Sequence, residues 1–215
     1  MHRGLSKSLL AGVLGACAAV PPPPPAPEPP PPPFPFSQVW NRTAGAELVG
    51  DSARYPLPRV AMRLEVVSTD SAGPIVRCVA CLGSPSGRLA AAQMVVDTLP
   101  PGVAARVGLA ELVVAVRSAA SRRDIEALRP VLSRLFTHSL AGGDSPIEAE
   151  GAWRRERFRT LDLVPALLDG GVVEDGPIWV APPDFVERPG FTGLRTGFAR
   201  EDGVWKWIFL TRSGY

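Results

Sequence analysis

Histidine is nearly missing from this chain: only two of 215 residues, His2 and His138, are histidine. Lysine is as scarce, with Lys7 and Lys206, and there are three cysteines, Cys17, Cys78 and Cys81. Beyond the first few residues His138 stands alone, so Cys78 and Cys81 lack the second ligand pair that a tetrahedral zinc site needs. No phosphate loop and no Gly-x-Ser-x-Gly elbow occurs; Gly83-Ser84-Pro85-Ser86-Gly87 carries proline where the nucleophile belongs. No apolar run reaches the ~20 residues of a membrane-spanning helix. Charge of one sign is also lacking. The 23 basic residues face 21 acidic ones, and loss of Arg3 and Lys7 with an N-terminal leader leaves 21 against 21. That balance removes the electrostatic case for a nucleic-acid partner. No catalytic residue, metal ligand set or cofactor motif is read from the sequence.

What is present begins with Leu9 to Pro33, LLAGVLGACAAVPPPPPAPEPPPPP. A short positive end (His2, Arg3, Lys7) precedes a short apolar run, the pattern of a signal peptide over residues 1–16. The run ends in Leu14-Gly15-Ala16-Cys17, which resembles the lipobox of bacterial lipoproteins. The resemblance implies that Cys17 is lipidated and becomes the new N-terminus, and that the protein stays on its membrane in the bacterial cell envelope. More than one acyl chain is enough for stable anchoring. Ala18 resembles the pattern of outer-membrane lipoproteins. The other reading is an ordinary secretory signal cleaved near Ala16 or Ala19. The scarcity of lysine beside abundant Arg, Ala, Gly, Val and Pro matches a GC-rich bacterial genome and says nothing about function.

Residues 17–36 form a linker. Each proline from Pro21 to Pro35 fixes φ and lacks an N–H, so the run is expected as polyproline II reaching about 45 Å. It serves as a semi-rigid spacer or as a ligand for an aromatic groove. About 180 residues follow from Phe36, enough for one substantial core or two small ones. The expected fold class is α+β: a β-rich part over 37–106, then a domain over 107–215 of helices packed on an antiparallel sheet, ending in a hairpin.

In the β-rich part, Arg59–Val67, Ile75–Leu82 and Arg88–Val96 read as three strands of a meander. Leu64 to Val76, LEVVSTDSAGPIV, faintly resembles the loop of bacterial SH3 repeats, which implies cell-wall binding. Cys78-Val79-Ala80-Cys81 is open to three readings: buried small side chains, a local disulfide across a turn, or a redox or metal site. Asn41-Arg42-Thr43 is a chance glycosylation sequon.

Beyond Pro100-Pro101-Gly102, Leu109, Leu112, Val113 and Val116 recur at helical spacing. Ser121 and Asp124 suggest a capping box for a second helix carrying Ile125, Leu128, Leu132, Leu135 and Phe136, with Pro130 kinking or splitting it. His138 would then sit at that helix's negative end. A third helix is expected from about Glu148 to Gly170, carrying Trp153, Phe158 and Leu161. Its Arg154, Arg155, Arg157 and Arg159 either grip an anion or line a solvated face.

Leu194–Ala199 and Val204–Leu210 read as a hairpin turning at Glu201-Asp202-Gly203. Period two puts Trp205, Trp207 and Phe209 on one face, as a stacking platform or as core under the helices. The arrangement from Val107 to Tyr215 resembles the cystatin-like and nuclear-transport-factor-2-like superfamily. That resemblance implies a pocket between sheet and helices, for which Asp124, His138, Trp205 and Trp207 are the candidate residues. The partners expected are the membrane, through the lipid, and an envelope protein or the cell wall.

Overall fold

Asn41 shows how this sequence is shaped into strands and turns. Its side chain is fully buried, with Nδ2 donating to the carbonyls of Thr43 (2.7 Å) and Arg59 (2.6 Å) and Oδ1 accepting from the Met62 amide (2.8 Å). With Ala61 in the left-handed region (φ 56°), these bonds hold residues 59–62 as a turn, so the strand expected from Arg59 begins at Arg63. The burial also removes the Asn41 amide from reach of a glycosylating enzyme in the folded state. The structure is a computed structural model and describes residues 34–138 and 144–212. The expected signal peptide, Cys17 and the linker up to Pro33 lie outside the described residues.

The fold is α+β. The first sheet contains β1 (Gln38–Asn41), β2 (Glu47–Val49), β3 (Arg54–Pro56), β4 (Arg63–Asp70), β5 (Gly73–Arg77), β6 (Ser86–Arg88) and β7 (Met94–Val95). Its order is β3-β2-β6-β5-β4-β1-β7, antiparallel throughout. The expected meander is the centre of this larger sheet. Its third member is corrected: Ala90-Ala91-Ala92 has little β propensity, and Ala91–Gln93 forms a 3-10 turn that carries Met94 and Val95 across to β1. Val39, Leu48, Leu64 and Val76 point inward and make a small core with Leu57, Met62, Cys78 and Leu89.

Two helices follow, α1 (Pro101–Val107), which the spacing did not reveal, and α2 (Leu109–Ser121), separated by the extended Gly108. A helix apolar around most of its circumference belongs inside, and α2 is buried along nearly its whole length. The core around it takes Trp40, Val60 and Val95 from the β-rich part and Phe136, Trp153, Phe198, Trp207 and Leu210 from later elements. The described residues therefore belong to one compact unit.

The expected second helix is corrected to a short α3 (Ile125–Leu128), a 3-10 turn over Arg129–Val131 and strand β8 (Leu132–Thr137). Pro130, lacking an N–H, cannot extend the α-helical ladder, and Leu135, placed inward by helical spacing, is 74% exposed. The expected third helix is likewise broken into α4 (Pro146–Arg155), a 3-10 turn (Leu161–Leu163) and α5 (Val164–Leu168). At the end of α4, Arg157 takes φ 57°, its amide donating to Arg154 O (3.1 Å) and that of Phe158 to Trp153 O (2.7 Å). These are the two bonds of a Schellman cap with arginine where glycine is usual. Arg154, Arg155, Arg157 and Arg159 are all exposed.

Glu150 of α4 is nearly buried and receives both the Nε and Nη2 of Arg129 at 2.8 Å. The hydrogen bonds from Arg129, opposed by burial and helped by its charge and that of Arg154, hold the Glu150 carboxyl below its ordinary 4.5. A carboxyl whose folded value is depressed stabilises the fold above its unfolded value and loses that contribution as pH falls through the folded one. Glu150→Gln is therefore expected to lower the melting temperature at pH 7. The gap from the parent protein should narrow once pH drops below 4.5, as calorimetry across pH 3–7 will show.

The second sheet holds β9 (Val173–Asp175), β10 (Ile178–Ala181), β11 (Leu194–Glu201) and β12 (Val204–Arg212), with α6 (Asp184–Glu187) between β10 and β11. Its order is β8-β12-β11-β10-β9, antiparallel except for the β8–β12 pair. The hairpin turns at Asp202-Gly203, both at positive φ (51° and 80°), the two-residue turn that matches strand twist.

Candidate functional site

One irregularity decides what each face of the second sheet carries. On β12, Trp207 pairs with Phe198 but Phe209 pairs with Gly197, so Ile208 is an extra residue, a β-bulge. The extra residue reverses the alternation beyond it. Trp205 and Trp207 stay on the helix-covered side, while Phe209 moves to the other, correcting the expectation of three aromatics on one face. Gly197 makes room for it: a Cβ there would lie 2.3 Å from Phe209 Cε1.

On the covered side the aromatic residues are core. The Trp207 ring stacks on Trp153 (5.7 Å, 19°) and meets Phe136 edge-on at 5.1 Å. Its Nε1 donates to Thr196 Oγ1, which in turn donates to the Phe209 carbonyl at 2.8 Å. The space between sheet and helices beside Trp207 is thus filled. Trp205 is half-buried, with the Arg200 guanidinium 5.1 Å from its ring centre. Asp124 caps α3, accepting from the Ala127 amide at 3.0 Å. Ser121 closes α2 instead, its hydroxyl donating to Ser118 O, so the cap is Asp124 and not a Ser121 box. His138 follows a strand rather than a helix, half-buried, with Nδ1 buried and without a hydrogen-bond partner.

On the opposite face, Ile178, Phe185 and Phe209 wall a cleft of about 260 Å³, with Thr137, Asp175, Arg195 and Thr211 as its polar groups. Arg195 pairs across the hairpin with Thr211, and its guanidinium lies 4.5 Å from the Phe185 ring centre. Phe185, on α6, is braced edge-on by Phe191 at 6.4 Å. Stacking on an aromatic face suits the weakly hydrated guanidinium. Arg195 Nε is nonetheless buried with no acceptor, and no ion pair among the described residues engages this side chain. Neither Asp124, His138, Trp205 nor Trp207 lines this cleft. Arg195, its cross-strand partner Thr211 and Phe209 share this face only because of the bulge, which the hydrophobic pattern does not mark.

A wider depression of about 570 Å³ carries Arg106, Arg134 and Lys206 beside Glu201 and Asp202. Its charges are mixed, and the Lys206 ammonium already donates to Pro130 O at 2.8 Å. Among the described residues no group of three or more His, Cys, Asp and Glu is placed to hold a metal ion.

Cys78 and Cys81 are joined in a disulfide, with Cα atoms 5.4 Å apart across a turn at Val79-Ala80. The loop is short, so reduction is expected to cost about 2 kcal/mol. Urea unfolding with and without dithiothreitol measures this. Alkylation after reduction should reach the half-buried Cys81 before the fully buried Cys78.

Comparison of the chain with protein-family models, with curated proteins and with solved structures finds no match to it.

Proposed function

We propose that this chain is a membrane-anchored lipoprotein of a bacterial cell envelope, held by lipid on Cys17, in a Gram-negative cell on the outer membrane or periplasmic face. Its folded unit is a non-catalytic binding or structural module for an envelope protein or the cell wall. One observation carries the reading: Leu14-Gly15-Ala16-Cys17 is followed by the prolines of 21–35, and the first strand starts at Gln38. That order reads as an anchor and a proline-rich spacer ahead of a folded body. The Cys78–Cys81 disulfide supports the placement, since such bonds persist in oxidising compartments.

Metabolic labelling with an alkyne fatty acid in a bacterial host tests it. The unaltered protein is expected to take up label and fractionate with the envelope, and Cys17→Ser to lose the label entirely. Equal labelling of Cys17→Ser, or an unprocessed chain in the cytosol, would overturn the reading.

A second reading, a small-molecule pocket in the C-terminal part, is favoured by the Arg195 cleft. A buried guanidinium N–H without an acceptor, in a cleft open to small molecules, is the kind of group a ligand completes.

A further inference from the structure

We infer that the Arg195 cleft takes the carboxylate end of a small apolar molecule. The inference rests on the pocket reading of that cleft and is independent of lipidation at Cys17.

The charge comes first. Arg195 carries a cation that no acid among the described residues neutralises by an ion pair, and its Nε–H is desolvated without an acceptor. The ring of Phe185 offsets part of that cost from one side but offers no hydrogen-bond acceptor. A planar fork of N–H donors matches the two oxygens of a carboxylate, and such charge-assisted pairs are the strong ones. Thr137 lines the same cleft and can donate its hydroxyl hydrogen to a remaining lone pair, and the Thr211 hydroxyl, which donates to the Arg212 carbonyl at 3.5 Å, can do so by rotating.

The walls come second. Ile178, Phe185 and Phe209 are apolar, so the body of the ligand is hydrocarbon or aromatic. A volume of about 260 Å³ lies below the usual range of ligand pockets, ~300–1,000 Å³, which limits the occupant to a small molecule or one terminal residue of a chain. Asp175 decides against a dianion: its carboxylate shares the cleft and would repel a phosphate more than a monocarboxylate. The shared chemistry is thus a single carboxylate on a short apolar group, from either a free acid or a peptide C-terminus.

Titration calorimetry on the detergent-solubilised full-length protein tests this with matched probes. 3-Phenylpropionate is expected to bind at least tenfold more tightly than 3-phenylpropionamide, which keeps the shape and loses the charge. N-acetyl-alanyl-phenylalanine and its C-terminal amide form the second pair, and whichever acid binds more tightly identifies the source. Arg195→Lys is expected to weaken the preferred acid by about 10- to 100-fold. Near-UV circular dichroism of the Trp153–Trp207 stack reports whether that variant is folded. The acid–amide comparison needs no variant at all. Equal binding of acid and amide, no binding of either acid, or unchanged affinity in folded Arg195→Lys would overturn the inference, whatever acyl labelling shows.

Discussion

Trp153→Ala is expected to lower the stability of the folded unit by about 3–5 kcal/mol, the usual cost of removing a buried indole. Trp153 is 2% exposed on α4 and stands where helix, edge strand and hairpin meet. It stacks on Trp207 of β12 and meets Phe136 of β8 edge-on at 5.7 Å. Aromatic pairs of this geometry add about 0.5–1.5 kcal/mol beyond the area they bury. Neither partner can collapse into the space. The Trp207 indole is pinned through Nε1 to Thr196, and Phe136 is fixed in a strand paired with β12. Trp153→Phe should recover part of the loss by keeping a ring there. Urea unfolding read by fluorescence and circular dichroism measures both, and the midpoint should move at constant slope. A loss below about 1 kcal/mol for Trp153→Ala would mean that these three rings do not pack as a core.

The same aromatic residues show how far the sequence can be read. The hairpin was legible because Asp202-Gly203 is a strong local turn signal between alternating strands. The α+β class followed from the change of period near Pro100-Pro101. The filled core could be anticipated from Trp205 and Trp207 at period two beneath amphipathic helices. The cleft could not, because it depends on Ile208 being an extra residue in β12. A bulge leaves no mark in hydrophobic pattern when both faces of the strand are mostly apolar, as they are from Val204 to Leu210, where Lys206 is the one charged residue.

The sequence of strand β8 is ambiguous for a related reason. Leu128, Leu132, Leu135 and Phe136 fit helical spacing as well as Leu132, Ser133 and Phe136 fit a strand edge. The proline at 130 and the parallel pairing with β12 decided between them. Asp124 and His138, both placed on a helix face by the helical reading, lie on different elements, one capping a helix and the other following a strand. Arg157 hid the end of α4, because the cap glycine that would have announced it is an arginine.

Gly171→Ala is expected to cost about 2–4 kcal/mol, through two separable effects. Gly171 takes φ +79°, a region in which an L side chain is strained by roughly 1–2 kcal/mol. Here the backbone is also crowded. A Cβ would lie 2.5 Å from the Val60 carbonyl oxygen, 2.9 Å from Met62 Cγ and 3.2 Å from Arg59 Cβ. The crowding arises because Val172 and Val60 exchange two backbone hydrogen bonds, of 2.9 and 3.2 Å, which tie the end of the helical segment to the turn that Asn41 organises. Relief of the clash must move that bridge, and with it Met62 in the smaller core. Gly176 provides the comparison: it has φ +60° but nothing within 4 Å of an added Cβ. Gly176→Ala should therefore cost only the conformational part, about 1 kcal/mol. Measured side by side by urea unfolding, the excess of Gly171→Ala over Gly176→Ala reports the close approach of the Val60 backbone. Amide exchange at Val60 and Val172 should rise only in the first variant. Equal losses in the two variants would show that conformational strain alone sets the cost and that the 60–172 bridge gives way freely.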